Sequence, residues 1–338
     1  MKKLTTISLS ALTVAAVLTL AACGGGDGGS SQPAGNNDSG SGNTGNNNGG
    51  GGTTTTPTGT VSTPQYDAGS IQLAAFNQLN KYRSQCGFPT LQENTNLDKA
   101  ATAHASYALQ NDVISDDETP GKPGFTGVTY ADRAVQSGFP KAVYAGGVTV
   151  GHYTTATLTN DQYGQELVNT LISGVYHIAV ATWPINLTGV GATAKTFNGY
   201  PEVFASISIG QLGSMPGNVP LTFPCEGVTG VPYSSIGETP TPPGTSGPWG
   251  TPVALTGGPS DKVSLLNGIM IDASGKQFVL KTLDAATDPN KLLPTFEGVA
   301  YPTTALSPNT KYNVTINGTI NGAPFTRSFS FTTGNTIG

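Results

Sequence analysis

Apolar residues recur at helical spacing in three stretches of the first half of the chain. Residues three or four positions apart lie on one face of an α-helix, so each stretch predicts a helix with one buried face. The three predicted helices contain Ile71, Ala75, Leu79 and Tyr82, then Leu97, Ala101, His104 and Ala108, and then Leu167, Leu171 and Val175.

Alternation of apolar and small or polar residues marks the predicted strands. A strand pressed on a core is indicated between Val203 and Ile209, where apolar residues alternate with Phe204, Ser206 and Ser208. Near the end of the chain a hairpin is predicted around Asn321–Gly322, a dipeptide typical of tight turns. Its two strands contain Tyr312, Val314 and Ile316, and Phe325, Phe329 and Phe331. The first domain therefore mixes helices and strands, and the C-terminal region is expected to be all β.

Two stretches of biased composition divide the chain. Residues 24–67 are rich in Gly, Asn, Ser and Thr and too poor in apolar residues to bury a core, which predicts a disordered tether. Residues 227–250 are rich in Pro and Gly, which interrupt regular structure, and are interpreted as a linker. The predicted folded domains are residues 68–226 and residues 251–338.

Residues 1–23 have the features of an export signal. Lys2 and Lys3 precede an apolar run from Ile7 to Leu20, which ends in small residues. The final Leu20-Ala21-Ala22-Cys23 resembles a bacterial lipobox, in which the cysteine is acylated and becomes the new N-terminus. The alternative is an ordinary cleaved signal with a chance cysteine. The lipobox resemblance implies a membrane partner, reached through an acyl anchor on Cys23. The expected location is the cell envelope, at the outer membrane or the cell surface.

Charge and cysteine content narrow the possibilities further. The chain has 15 Lys and Arg against 20 Asp and Glu and no basic run, which argues against a nucleic-acid partner. Of its three cysteines, Cys23 is assigned to the anchor, and Cys86 and Cys225 are then free to form one disulfide. A pair of reduced or metal-bound cysteines is the alternative, but no CxxC spacing supports a metal.

The segment FNQLNKYRSQCGFPTLQENTNLDKAATAHASYAL, residues 76–109, matches the pattern LNxxRxxxGxxxL followed by NxxLxxAAxxHA. It resembles the opening of a bacterial CAP domain, of the cysteine-rich secretory protein (SCP-like) superfamily. The later segment GVYHIAVATWPINLTGVGAT resembles a second motif of that family, with Ser173 and His177 in place. The resemblance implies an α-β-α sandwich over residues 68–226.

The C-terminal segment TKYNVTINGTINGAPFTRSFSFTT resembles the last strands of bacterial immunoglobulin-like modules. The expected fold class is therefore α+β, with a CAP-like α-β-α sandwich followed by an all-β immunoglobulin-like sandwich.

The family resemblance also implies a cleft of two histidines and one or two glutamates that can hold a divalent metal. Here Asp116 stands in place of the first histidine, and Gly146 and Gly147 stand in place of a glutamate. His177 is retained, but Ile178 replaces the arginine that usually follows it. One imidazole and one carboxylate are too few for a structural metal site, so we expect no cofactor.

Three other titratable residues bear on this interpretation. The alternative to a lost site is a weak metal or acid–base pair of His177 and Asp116, joined by Glu166 or His152. His104 is expected to be a hydrogen-bonded residue of the interior, because it lies among alanines at core spacing. His152, in a Gly-rich stretch, is predicted to lie in an exposed loop.

No nucleophile motif such as GxSxG or HExxH is present. The favoured function is therefore a surface-anchored binding or structural module with a degenerate cleft, whose partner is an apolar ligand, the cell wall or a protein. The chain is accordingly not expected to be an enzyme. The alternative is a metal-assisted or acid–base hydrolase acting on cell-wall or protein substrates.

Overall fold

The computed structural model describes residues 56–338 and a two-residue strand, Leu12–Thr13 (β1). Apart from β1, the predicted signal, the lipobox and the tether up to residue 55 lie outside the described residues. No helix in the described part of the chain is long and apolar enough to cross a membrane.

The first domain is a mixed sheet with helices on both faces. Its elements are α1 (Ile71–Gln85), β2 (Gln92–Glu93), α2 (Thr95–Asn111), α3 (Tyr130–Gln136), β3 (Ala145–Tyr153), α4 (Asn160–Ser173), α5 (Ala179–Thr182), β4 (Ile185–Phe197) and β5 (Tyr200–Leu212). The strand order is β2-β4-β5-β3, with only β2 parallel to its neighbour. The predicted α-β-α sandwich is confirmed.

Alternate side chains of β4 point to opposite faces of the sheet, and each face packs against one layer of helices. Val190 joins the hydrophobic core that includes residues of α1 and α4. Leu187, on the opposite face, packs with Leu97 of α2 in a second core. A Cβ at Gly191 would overlap the backbone of α2 at Ala101 and Thr102, so the strand can lie this close to the helix only without a side chain there.

The ends of the helices follow from local capping. Ser70 and Thr159 accept hydrogen bonds from backbone amides in the first turns of α1 and α4. Helix α4 ends at Ser173, so the prediction that it includes Val175 is wrong by two residues. The short helices α3 and α5 were not predicted, because neither is long enough to show a periodic pattern.

The C-terminal region is rich in antiparallel strands, as expected. Its elements are β6 (Leu221–Phe223), β7 (Thr229–Val231), β8 (Glu238–Thr239), β9 (Val253–Thr256), β10 (Val263–Asp272), β11 (Gln277–Val279), β12 (Lys281–Asp284), β13 (Glu297–Tyr301), β14 (Lys311–Ile320) and β15 (Ala323–Thr333). One sheet has the order β11-β10-β14-β15-β7 and the other the order β12-β13-β9-β6. The predicted hairpin is β14–β15, turning at Asn321–Gly322 with positive φ at both residues. This architecture is consistent with an immunoglobulin-like module.

The structure draws the domain limits differently from the composition. Strand β6, within the range given to the first domain, pairs with β9, and β7, within the predicted linker, pairs with β15. Both therefore belong to the C-terminal module. At the other end, Tyr66 donates a hydrogen bond of 2.6 Å to Asp98, so the last residues of the predicted tether contact the first domain.

Cys86, at the end of α1, forms a disulfide with Cys225, with 5.5 Å between the Cα atoms. Because Cys225 lies between β6 and β7, the bond joins the first domain to the C-terminal module.

Candidate functional site

The segment between α4 and α5 carries His177 and is buried beneath the C-terminal module. The backbone carbonyl of Ser173 accepts a hydrogen bond of 2.9 Å from the Trp249 indole. The Tyr176 hydroxyl donates to Asp288 at 2.9 Å. His177 itself is only 2% exposed. This part of the first domain is therefore an interface between the two domains and not an open cleft wall.

The end of α5 and the residue that follows it are held by one buried carboxylate. Glu297 of β13 accepts hydrogen bonds from Thr182 Oγ1 at 3.0 Å and from Trp183 Nε1 at 2.6 Å. Burial raises the pKa of Glu297 to about 7, although both hydrogen bonds oppose the shift. With Asp288, this carboxyl group makes two acidic contacts from the C-terminal module.

The third acidic contact is Glu238, which binds the turn around His177. One carboxylate oxygen, Oε2, accepts the amide of Val175 at 2.7 Å. The other, Oε1, accepts the amides of Tyr176 and His177 at 2.8 and 3.0 Å, and His177 Nδ1 at 2.6 Å. Four donors of the first domain thus converge on one carboxylate of the C-terminal region.

Two polar atoms in this region lack a hydrogen-bond partner. They are His177 Nε2 and Asp116 Oδ2, and both are buried. Burial alone would lower the pKa of His177, but the hydrogen bond and charge of Glu238 and the charge of Asp116 outweigh it, so the pKa is raised. The charges of Glu238 and Asp116 therefore favour the cationic form of the imidazole.

Asp116 is held from the side of α3 and β3. Its Oδ1 accepts the Tyr130 hydroxyl at 2.6 Å and the Thr149 amide at 3.1 Å. Burial raises the pKa of Asp116 to about 6, against the opposing effects of His177, Tyr130 and Arg133. His177 and Asp116 are thus close enough for the charge of each to act on the pKa of the other, but no hydrogen bond joins them.

The missing glutamate of the family pattern has a steric explanation. A Cβ at Gly147 would come within 2.5 Å of the Tyr130 ring, and one at Gly146 within 2.5 Å of the Tyr144 hydroxyl. The space that a side chain would need at these positions is filled by tyrosines. Ile178 is fully buried in the hydrophobic core, where an arginine would need a buried partner.

The other predicted residues have partners of their own. His104 Nδ1 donates to Glu118 at 2.9 Å and Nε2 pairs with the Ser115 carbonyl at 2.8 Å, so it is a hydrogen-bonded interior residue as expected. The prediction for His152 is wrong, because it lies in β3, paired with Val203 and half-buried. Glu166 is half-buried on α4, where its charge acts on Tyr82.

A comparison with known protein families matches the first domain. The sequence profile of CAP, the cysteine-rich secretory protein family, matches residues 76–200. The chain contains a CAP domain. No curated protein matches the chain.

The CAP motif residues of α1 act as scaffold. The buried Arg83 guanidinium donates to the backbone carbonyls of Trp183 and Ile185 at 3.1 Å, which fixes the segment after α5. Asn80 pairs with both backbone groups of Leu91, at 2.7 and 3.0 Å. These contacts explain the motif LNxxR without assigning it a chemical role.

The residues do not fit the metal that the CAP family can hold. His177 Nδ1 is already bonded to Glu238. This leaves His177 Nε2 and Asp116 Oδ2 as the unbonded atoms of the pair that could ligate a metal. Within residues 56–338, no group of three or more His, Cys, Asp and Glu side chains is arranged to hold an ion. A structural zinc site normally has four protein ligands.

A separate cavity of about 330 Å³ opens beside the N-terminal ends of α1 and α2. Its lining includes Tyr66, Glu93, Asp98 and Thr102. Burial, with a contribution from Glu93, raises the pKa of Asp98 to about 7. The sequence analysis did not single out this acidic pair, whose members come from β2 and α2.

Glu238 is the site residue that the sequence analysis missed. It lies in the segment interpreted as a linker, far along the chain from the CAP motifs. One signal was present, since Glu238 is the only charged residue between positions 227 and 250.

Proposed function

We propose that the protein is a surface-anchored CAP-domain lipoprotein that serves as a binding or structural module of the cell envelope. The observation that carries this proposal is the hydrogen bond between the Glu238 carboxylate and His177. His177 is the residue on which a CAP cleft would depend, and here its Nδ1 is already bonded. A buried imidazole that already holds a carboxylate is not accessible to a large substrate. The C-terminal module therefore acts as a fixed cover of the CAP cleft.

The anchor is the second part of the proposal. Acylation of Cys23 would hold the protein at a membrane surface, and the Gly- and Asn-rich segment after it would act as the tether. The outer membrane or the cell surface is the proposed location. The proposed partners of the anchored module are an apolar ligand, the cell wall or another envelope protein.

Labelling with a radioactive fatty acid in a bacterial host tests the anchor. We expect the wild type to incorporate label and to fractionate with membranes, and Cys23→Ser to lose both properties. Equal labelling of the two proteins would show that Cys23 is not the lipid attachment site.

Turnover assays test the non-enzymatic role against the hydrolase alternative. The full chain carrying Cys23→Ser is incubated with purified peptidoglycan and with casein, beside the same protein carrying His177→Ala. We expect no release of products above the His177→Ala background. Turnover that is present only while His177 is intact would establish the hydrolase instead.

A further inference from the structure

The turn Gly174–His177 presents the hydrogen-bond donors that are needed to bind one carboxylate. Three consecutive backbone amides and one imidazole N–H point at the two oxygens of Glu238, at distances of 2.6 to 3.0 Å. Hydrogen bonds from a cationic donor to a carboxylate are among the strongest in proteins. A neutral amide or hydroxyl group in the same place could not accept all four.

The turn has room for the Glu238 carboxylate only because Gly174 has no side chain. A Cβ at Gly174 would lie 2.7 Å from Glu238 Oε1 and 2.9 Å from His177 Nδ1. These separations are shorter than ordinary contacts between such atoms, so any side chain at Gly174 would displace the carboxylate. The absence of a side chain at this position is therefore a requirement of carboxylate binding.

The backbone on either side of the three donor amides is hydrogen-bonded within the CAP domain. The amide of Gly174 bonds to the carbonyl of Leu171, and the amide of Ile178 bonds to the carbonyl of Gly174, both at 3.2 Å. On its other side the imidazole has no partner, since Nε2 is buried and unbonded. The orientation of the ring thus depends on the carboxylate at Nδ1, while the backbone that carries the amide donors has hydrogen bonds of its own at both ends.

We propose that Gly174–His177 is a carboxylate-binding site of the CAP domain, occupied here by Glu238 of the same chain and able to take a small free carboxylate when the Glu238 side chain is removed. The inference rests on the closed cleft of the proposed function and is independent of the anchor. Glu238 acts as an intramolecular ligand that fastens the C-terminal module to the CAP domain.

Chemical rescue tests the site directly. Glu238→Ala leaves four buried donors without an acceptor, and buried unsatisfied donors destabilise a fold. Thermal unfolding of the full chain is measured in sodium formate and in sodium chloride of equal ionic strength. We expect formate to raise the Tm of Glu238→Ala by several degrees more than chloride does, with half-saturation at about 1 mM or above, as befits a ligand of three heavy atoms.

Three controls identify the binding site. The wild type should show no difference between formate and chloride, because Glu238 fills the site. The double variants Glu238→Ala/Gly174→Ala and Glu238→Ala/His177→Ala should lose the formate response. An equal response in the wild type and in Glu238→Ala, or no response in either, would overturn the proposal.

The test remains decisive if Glu238→Ala does not fold in chloride. Refolding yield then replaces Tm, and we expect formate to restore folded protein where chloride does not. Failure of this rescue would refute the carboxylate site and leave the proposed function standing, because turnover and fatty-acid labelling are separate measurements. Conversely, turnover dependent on His177 would refute the structural role without affecting the rescue result.

Discussion

Glu238 and His177 lie 61 positions apart in the chain, and Oε1 of the first accepts a hydrogen bond of 2.6 Å from Nδ1 of the second. Glu238 lies beyond the matched CAP residues 76–200, whereas His177 lies within them. The histidine that is retained from the family pattern therefore has a partner from outside the family domain. In this structure its imidazole joins the CAP domain to the C-terminal region.

The first prediction concerns the contribution of His177 to stability. Replacing it with alanine removes the partner of a buried carboxylate, and we expect a loss of about 2 to 4 kcal/mol in the free energy of unfolding. Because its pKa is raised in the folded protein, this contribution is complete below pH 6.5, the unfolded value, and declines as the pH rises through the folded value. Urea unfolding at several pH values measures both effects. His152→Ala, which removes a half-buried imidazole without a carboxylate partner, is the control and should be milder at every pH.

Metal binding gives a second prediction. Since His177 Nδ1 is bonded to Glu238 and the remaining donor atoms are few, calorimetric titration with zinc, calcium and magnesium should show no stoichiometric binding to the wild type. Tight binding in the wild type that is absent from His177→Ala would contradict this expectation and restore the cleft as a metal centre.

Glu297 predicts a further loss of stability as the pH rises, which comes from the burial of an acid and not from a charged partner. Its pKa rises from 4.5 in the unfolded chain to about 7 in the folded protein, so the folded state binds the extra proton between these values. Stability that is present below pH 4.5 is therefore lost as the pH rises to 7, by up to about 3 kcal/mol. Glu297→Gln keeps the shape and removes the titration. Its unfolding free energy should fall less than that of the wild type over this range, and parallel curves for the two proteins would contradict the prediction.

The contact between β4 and α2 predicts a strong effect at Gly191. Alanine there would force the strand and the helix apart, because the added Cβ overlaps main-chain atoms that cannot rotate away. We expect a loss of at least about 2 kcal/mol, measured by urea unfolding. Gly217→Ala is the matched control, since a Cβ at that position meets no atom within 4 Å. Similar stabilities of the two variants would show that the sheet adjusts more freely than the packing indicates.

The disulfide provides the last prediction. Replacing Cys86 and Cys225 by serine together frees a span of 139 residues in the unfolded chain, and we expect a loss of about 2 to 4 kcal/mol. Mass mapping without reductant should find the two residues in one linked peptide. Two free thiols in the purified protein would contradict the assignment.

Local pattern was sufficient for α1, α2, α4 and β5 of the CAP domain. The spacing of Leu79 and Leu97 with their neighbours places α1 and α2, because each helix buries one continuous face. Strand β3 was not predicted, because Gly146, Gly147 and Gly151 interrupt the alternation that marks a strand. The space beside these glycines is filled by Tyr144, Tyr130 and Ile114. His152 was misplaced for the same reason.

The site could be predicted only in part. Motif order was enough to place Asp116 and His177 in one region, since both occupy family positions. Glu238 could not be located in this way, because its contact depends on how the C-terminal module folds back, and no local pattern encodes that path. The limits of the module failed similarly, as β6 and β7 are short strands whose partners lie far along the chain.

The bond between Cys86 and Cys225 also determines how mechanical load would pass through the molecule. If the chain is held on its N-terminal side and pulled at its end, tension runs along α1, crosses the disulfide and enters the C-terminal strands directly. Strands β4 and β5 lie inside the closed span and off this route. The CAP sheet is thus shielded from stretching while the bond is intact, and the parts that yield first are α1 and the terminal strands.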